Sequence, residues 1–276
     1  MKLRGSKTRS TNKTAPPVVM VIGGMDPSGG AGLCADIQTL SAMGCHAAPV
    51  VTAITVQDTV GVRDFQPVEA GLIEAQICAV LDDLSLSAVK TGMLANREII
   101  SIVSSLLGGH PEIKVIVDPV MSSNNGERLS KDSLIEPLKE LLFPRATIIT
   151  PNLPEARLLA GKDVAADGCA RLLSDSNCMI TGTHAESSYV INRFYQRGKK
   201  IREWSWPRLE FEYHGSGCTL ASAIAAGIAH GLDMEQALEQ AQQFVINSLR
   251  AGFRPGHGQH IPDRLCRDGM FTNLPK

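Results

Sequence analysis

Apolar residues in this chain gather into short unbroken runs. The first, Val18-Val-Met-Val-Ile-Gly23, leads into a glycine-rich turn over 24–32 and then into Leu33 to Met43, which has a helical pattern. A continuous apolar run of this length marks a strand covered on both faces, since neither face alternates toward water. The unit then recurs. Ala47 to Thr55 reads as a β-branched strand, Val68 to Leu84 as a helix, Ser87 to Met93 as a strand and Asn96 to Leu107 as a helix. Lys114 to Pro119, Ala146 to Thr150 and Cys178 to Thr183 continue the strand series. Strands alternating with helices predict an α/β fold of three layers, a mostly parallel sheet with helices on both faces. Beyond Thr183 the pattern changes, and Ser188 to Asn192 with Lys200 to Trp206 predict an antiparallel pair at the sheet margin. Leu220 to His230 is small and apolar throughout, the pattern of a tightly buried helix. Leu232 to Gly252 contains an amphipathic helix, and Gly256 to Asp263 is a loop. No internal repeat or linker divides the chain, so one domain is expected over 17–276.

Composition narrows the classes. Hydrophobic residues make up 43% of the 276 but aromatics only 4%, so the core is built from aliphatics and alanine. A net charge of −1 argues against nucleic acid or an acidic membrane surface as the main partner. The seven cysteines (34, 45, 78, 169, 178, 218 and 266) are odd in number, scattered and without CxxC spacing. That usage suggests reduced thiols of a cytoplasmic protein, neither a zinc site nor a disulfide framework. No stretch approaches a membrane span, and no signal-peptide core follows the start. Residues 1–16 carry five basic and no acidic residues, and read as a disordered tail.

Candidate chemistry lies at one edge of the expected sheet. Asp26, Gln57, Met93, Asp118, Asn152, Glu155 and Thr181 all stand just past strand ends, where open α/β sheets bind ligands. Each alone reads as a turn residue; their shared placement is the signal. His214-Gly215-Ser216-Gly217-Cys218-Thr219 opens directly into the buried helix. Glycines at 215 and 217 let the backbone turn with its N–H groups outward, and the helix adds its positive end, so the loop is an anion trap. A helix N-terminus is also expected to lower the pKa of the Cys218 thiol. Gly30 to Ala35 fits a GxGxxA dinucleotide fingerprint, but six residues separate it from Gly23 at the strand end, which argues against that fold.

Six segments occur in order: Gly23 to Gly32 (Gly-Gly-Met-Asp-Pro-Ser-Gly-Gly-Ala-Gly), Thr52 to Gln57, Lys90 to Leu94, Asp118 to Met121, Thr150 to Glu155, and His214 to Thr219. The series resembles the hydroxymethylpyrimidine and phosphomethylpyrimidine kinases, within the ribokinase-like superfamily. The resemblance implies a ribokinase-like fold, ATP and Mg²⁺ as cofactors, and transfer of phosphate to a pyrimidine hydroxymethyl group and then to its monophosphate. It implies that Gln57 reads the ring edge, that Gly24, Met93 and Val120 line the ring, and that Asp36 stands near the reacting end. It places Asp118, Asn152, Glu155, Thr181 and His214 around the nucleotide, with Asp118 and Glu155 toward Mg²⁺. The amides of Gly215, Ser216, Gly217 and Cys218 would stabilise the transferred phosphoryl group, with Cys218 accepting the hydroxyl proton or sitting against it. A homodimer is also implied. The chain departs from the pattern in carrying Thr181 where lysine is usual and Tyr213 where a small residue is usual. Its Glu155–Cys178 segment is also shorter. Two alternatives stay open: a pyridoxal kinase, or a non-catalytic pyrimidine sensor.

Overall fold

A computed structural model describes residues 15–121, 133–173, 175–183 and 187–265. The chain runs β1 (Val18–Met25), α1 (Gly32–Ala42), β2 (His46–Gln57), β3 (Val62–Pro67), α2 (Ala70–Asp83), β4 (Leu86–Thr91), α3 (Arg97–Gly108) and β5 (Lys114–Val117). A short helix α4 (Ile135–Pro137) continues into a π turn over Leu138–Leu142. Then come β6 (Ile148–Ile149), α5 (Leu153–Ala160), α6 (Ala166–Leu172), β7 (Cys178–Ile180), β8 (Tyr189–Gln196), β9 (Lys199–Pro207), α7 (Ser216–Ala229) and α8 (Met234–Arg250). The expected basic tail lies outside the described residues apart from its last two, as does Cys266.

All nine strands form one sheet in the order β3-β2-β1-β4-β5-β6-β7-β8-β9. Pairing is parallel from β2 to β7 and antiparallel at both margins. The continuous apolar runs are explained by burial of both faces. In β1, Met20 and Ile22 pack with Ile73, Ile99 and Leu159 of α2, α3 and α5. Their neighbours Val19 and Val21 pack with Leu33, Ile224 and Leu238 of α1, α7 and α8. All four β1 residues are fully buried, so the two-residue period of a strand hides an apolar side chain on each face. Small residues let α7 lie close to its neighbours: a Cβ on Gly227 would meet Ala237 Cβ at 3.0 Å.

The expected strands, the marginal antiparallel pair and the late helices are all present. Four elements were not anticipated, one of them the eight-residue helix α5, whose start carries only the strand-end signal Pro151 to Glu155 in the sequence. Strand β3 is an edge strand with no fully buried residue, so its sequence Val-Arg-Asp-Phe-Gln-Pro carries no buried-strand signal. Helix α6 and the α4 segment are only seven and three residues long, too short for an apolar period to register. Successive strands step from β1 to β2 on one side and to β4 on the other, which opens a crevice at their carboxyl ends. Among the described residues, no helix is long and apolar enough to cross a membrane.

Candidate active site

That crevice holds a cavity of ≈ 290 Å³. Its walls include Gly24 from β1, Asp36 from α1, Gln57 from β2, Met93 after β4, and Asp118 and Val120 after β5. Asn152, Glu155, Thr181, His214, Gly215, Gly217 and Cys218 complete the set, so thirteen of the fourteen expected site residues meet in one space. Ser216 is the exception. It lines a second cavity of ≈ 130 Å³ that shares Thr181, Gly217 and Leu220 with the first. The second cavity is walled mostly by apolar and aromatic side chains, including Trp206, Phe211, Val245 and Leu249, with Asn192, Arg208 and Gln242 among them.

One end of the larger cavity is organised by Asp26. Its carboxylate accepts from Ser28 N (2.8 Å), Ser28 Oγ (2.9 Å) and Ala31 N (2.8 Å), and lies 2.9 Å from His214 Nε2. Burial works to raise the Asp26 pKa, but hydrogen bonds from His214, Ser28 and Gln57 together with the charge of His214 bring it down to about 2. The Gln57 amide nitrogen lies 3.2 Å from the same imidazole nitrogen. His214, which the resemblance groups with the nucleotide, has its ring engaged with Asp26 and Gln57. The backbone sets this direction: His214 N donates to His260 O at 2.8 Å, and His260 N donates to Glu212 O at 3.0 Å.

The cavity floor is a cluster of buried charges. Lys90, fully buried in the central strand β4, donates to Asp36 Oδ1 at 2.9 Å and lies 3.6 Å from Asp118 Oδ2. Ser222 Oγ of α7 donates to the same Asp36 oxygen at 2.7 Å. Burial opposes the Lys90 charge, yet the surrounding Asp36, Cys218 and Asp118 hold its pKa above the ordinary value. Asp36 is thus held by Lys90 and Ser222 through one oxygen, while its Oδ2 has no hydrogen-bond partner among the described residues.

Asn152 and Glu155 close a reciprocal capping box at the start of α5, each side chain accepting from the other's backbone N–H at 2.9 Å. Burial, then the charge of Asp118, push Glu155 up to about 8. Burial also raises Asp118, against the pull of Lys90. Among the described residues Asp118 Oδ2 has no hydrogen bond, only the Lys90 ammonium 3.6 Å away. Two crowded carboxyls with an unsatisfied oxygen are suited to a hard divalent cation. Among the described residues no group of three or more His, Cys, Asp and Glu could hold a metal. A cation held by this pair would take its remaining ligands from water and phosphate oxygens, as Mg²⁺ does.

The loop before α7 turns at Gly215, which caps the helix with φ 81°. A Cβ there would lie 2.0 Å from Gly30 O, so the close approach of the two glycine loops requires glycine. The first N–H groups of α7 have no partner within the helix and are free for an anion. The expectation for Cys218 is reversed. Burial in the cavity floor raises its thiol to about 12, with Asp118 and Asp36 adding to the effect, while Lys90 and the Gly32 N–H pull the other way. Desolvation outweighs the helix end, and the thiol stays protonated beside Asp118.

Three contributors escaped the sequence reading of roles. Asp26 was noted at a strand end without a function. Lys90 stood within a quoted segment, and a lysine inside the apolar run Leu86 to Thr91 is the signal that could have found it. Arg264 carried no signal. It is 1% exposed and reaches the site from far along the chain, donating to Gly30 O at 2.6 Å.

Residues 26–263 match the family model described as phosphomethylpyrimidine kinase. The hydroxymethylpyrimidine/phosphomethylpyrimidine kinase of Mycobacterium tuberculosis is 38% identical over 261 residues, covering 91% of this chain and 95% of the relative. The solved phosphomethylpyrimidine kinase of Clostridium difficile superposes with TM-score 0.72 at 33% identity, covering 85% of this chain and 99% of that one. The pyridoxal kinase of Staphylococcus aureus in complex with AMP-PCP and pyridoxal gives TM-score 0.82 at 27% identity, covering 93% and 96%. A family match across nearly the whole core, with the strand-end residues and the glycine loop assembled around one cavity, means that the chain belongs to the phosphomethylpyrimidine kinase family.

Proposed function

We propose that the chain moves the γ-phosphoryl group of ATP to the hydroxymethyl oxygen of 4-amino-5-hydroxymethyl-2-methylpyrimidine, and then a second phosphoryl group to the resulting monophosphate. Each step releases ADP. The observation that carries this reading is the pair of cavities meeting at Gly217, with the anion loop between them. The larger cavity offers a polar end at Gln57, whose amide can both donate to and accept from an aminopyrimidine edge. Gly24, Met93 and Val120 supply apolar surface for the ring faces. The second, mostly apolar and aromatic cavity suits an adenine ring.

Asp118 and Glu155 would hold Mg²⁺, which when bound neutralises phosphate charge. The loop amides stabilise charge on the transferred group without reorganising. Cys218 enters this scheme as a neutral thiol beside Asp118. Phosphoryl transfer through a loose transition state needs little early proton removal, so a resting thiolate is not required. The exposed Ile54 and Val56 of β2 suit the homodimer proposed here, which sedimentation velocity tests.

The structural similarity to a pyridoxal-bound kinase supports a second reading, phosphorylation of pyridoxal. Incubation with ATP, Mg²⁺ and each ring compound, with products resolved by mass, separates them. The main reading expects pyrimidine mono- and diphosphate; pyridoxal phosphate alone would replace it with the second.

A further inference from the structure

Arg264 belongs to no motif, lies one residue past the family match and does not line either cavity. Its guanidinium is nevertheless buried between the two glycine loops. Its Nη2 donates to Gly30 O at 2.6 Å and approaches Gly215 O at 3.5 Å, and its Nε donates to Thr219 Oγ1 at 2.8 Å. Thr219 Oγ1 in turn donates to Gly215 O at 2.7 Å. A trans peptide is planar, so its C=O and the following N–H point in opposite directions. Drawing the Gly215 carbonyl toward Arg264 and Thr219 therefore turns the Ser216 N–H out of the helix end. The Gly30 carbonyl is held in the same way, and the Ala31 N–H behind it donates to Asp26, which holds His214.

We infer that Arg264 is a positioning residue for phosphoryl transfer, fixing the Gly215 peptide plane so that the Ser216 N–H faces the transferred group, and the Gly30 plane so that the Ala31 N–H stays on Asp26. The inference rests on the kinase reading of the same loop. A planar guanidinium suits the task because its donors form a rigid fork, which an ammonium lacks. Burial lowers the Arg264 pKa to about 10, which leaves it charged at neutral pH. Among the described residues no carboxylate forms a direct ion pair with it, and the nearby charges of Asp36 and Asp26 favour its charged form.

The test compares the parent with Arg264→Met, Arg264→Lys and Thr219→Val, each first checked for cooperative thermal unfolding. Turnover is measured on whichever ring compound the parent phosphorylates, and calorimetry follows two ligands: the ring compound alone, and Mg²⁺–ADP with aluminium fluoride as a phosphoryl mimic. Loss of one transition-state donor costs about 10²–10³ in turnover, so Arg264→Met is expected to fall about 10²-fold. Affinity for the mimic should fall in parallel while ring affinity stays within about twofold, since only the developing charge senses the amides. Arg264→Lys should recover part of the loss, and Thr219→Val should show a smaller loss of the same kind. If Arg264→Met does not fold, the other two variants decide by the same criteria. Parental turnover and mimic affinity in the folded variants, or equal losses for ring and mimic, would overturn the inference. The mimic arm needs no acceptor, so a parent inactive on the pyrimidine refutes the kinase reading without removing this test.

Discussion

Glu155→Gln separates the two tasks of one buried carboxyl. In the folded protein Glu155 holds its proton to about pH 8, because burial and Asp118 both disfavour its charge, while an unconstrained glutamate releases it near 4.5. Between those values the native state binds a proton that the unfolded chain has lost, so stability falls as pH rises through the window. At ~1.4 kcal/mol per pH unit, the penalty reaches ~3 kcal/mol at pH 7 and levels off above pH 8. Glutamine keeps the capping box, because its amide oxygen can still accept from Asn152 N, and it cannot ionise. The variant should match the parent near pH 4.5. At pH 7 in EDTA it should unfold roughly 6–12 °C higher, the shift expected for ~3 kcal/mol in a domain of this size. Some slope should remain in the variant, because Asp118 is raised as well. With Mg²⁺ and ATP the same variant should lose turnover, having lost one of two carboxylates suited to the cation. Thermal unfolding of the metal-free protein from pH 4.5 to 8.5 is the assay. A parent whose stability is flat over that range, or a variant with the parent's slope, would refute the argument.

Gln57→Leu should weaken pyrimidine binding by about 1–3 kcal/mol, the cost of leaving a buried polar edge unpaired, with ATP affinity unchanged; equal pyrimidine affinity in calorimetry would remove Gln57 from the ring pocket. Cys218 should be alkylated about 10³-fold more slowly than a free thiol at pH 7.5, since a pKa of about 12 leaves little thiolate; rapid, pyrimidine-protected labelling in a mass-mapped time course would restore the base role. Gly215→Ala places a Cβ 2.0 Å from Gly30 O at a left-handed residue and should destabilise by roughly 2–5 kcal/mol, read as a lower urea midpoint; an unchanged midpoint would mean the two loops are not held together.

Patterning alone was enough for the parallel core, because strands buried on both faces leave unbroken apolar runs and the helices between them have a separate period. Edge strand β3 and short helix α6 lack those signals, since neither buries a long enough face to leave a repeat. The site was also largely legible. Asp118, Asn152, Thr181 and Gln57 stand immediately past or at strand ends, and parallel strands bring all such positions to one edge whatever their separation in sequence.

What the tertiary structure decided were the partners and the charge states. No local pattern says that Lys90 faces Asp36 and Asp118, that His214 turns to Asp26, or that Arg264 reaches back to Gly30. These contacts span 54, 28, 188 and 234 residues, distances at which sequence spacing carries no geometric information. The Cys218 thiol makes the same point about energies. Its place at a helix N-terminus was readable and favours a thiolate, but depth of burial exists only after folding, and desolvation raises the pKa instead. Sequence determined which strand-end groups gather at the site; the packing determined their partners and which of them carry charge.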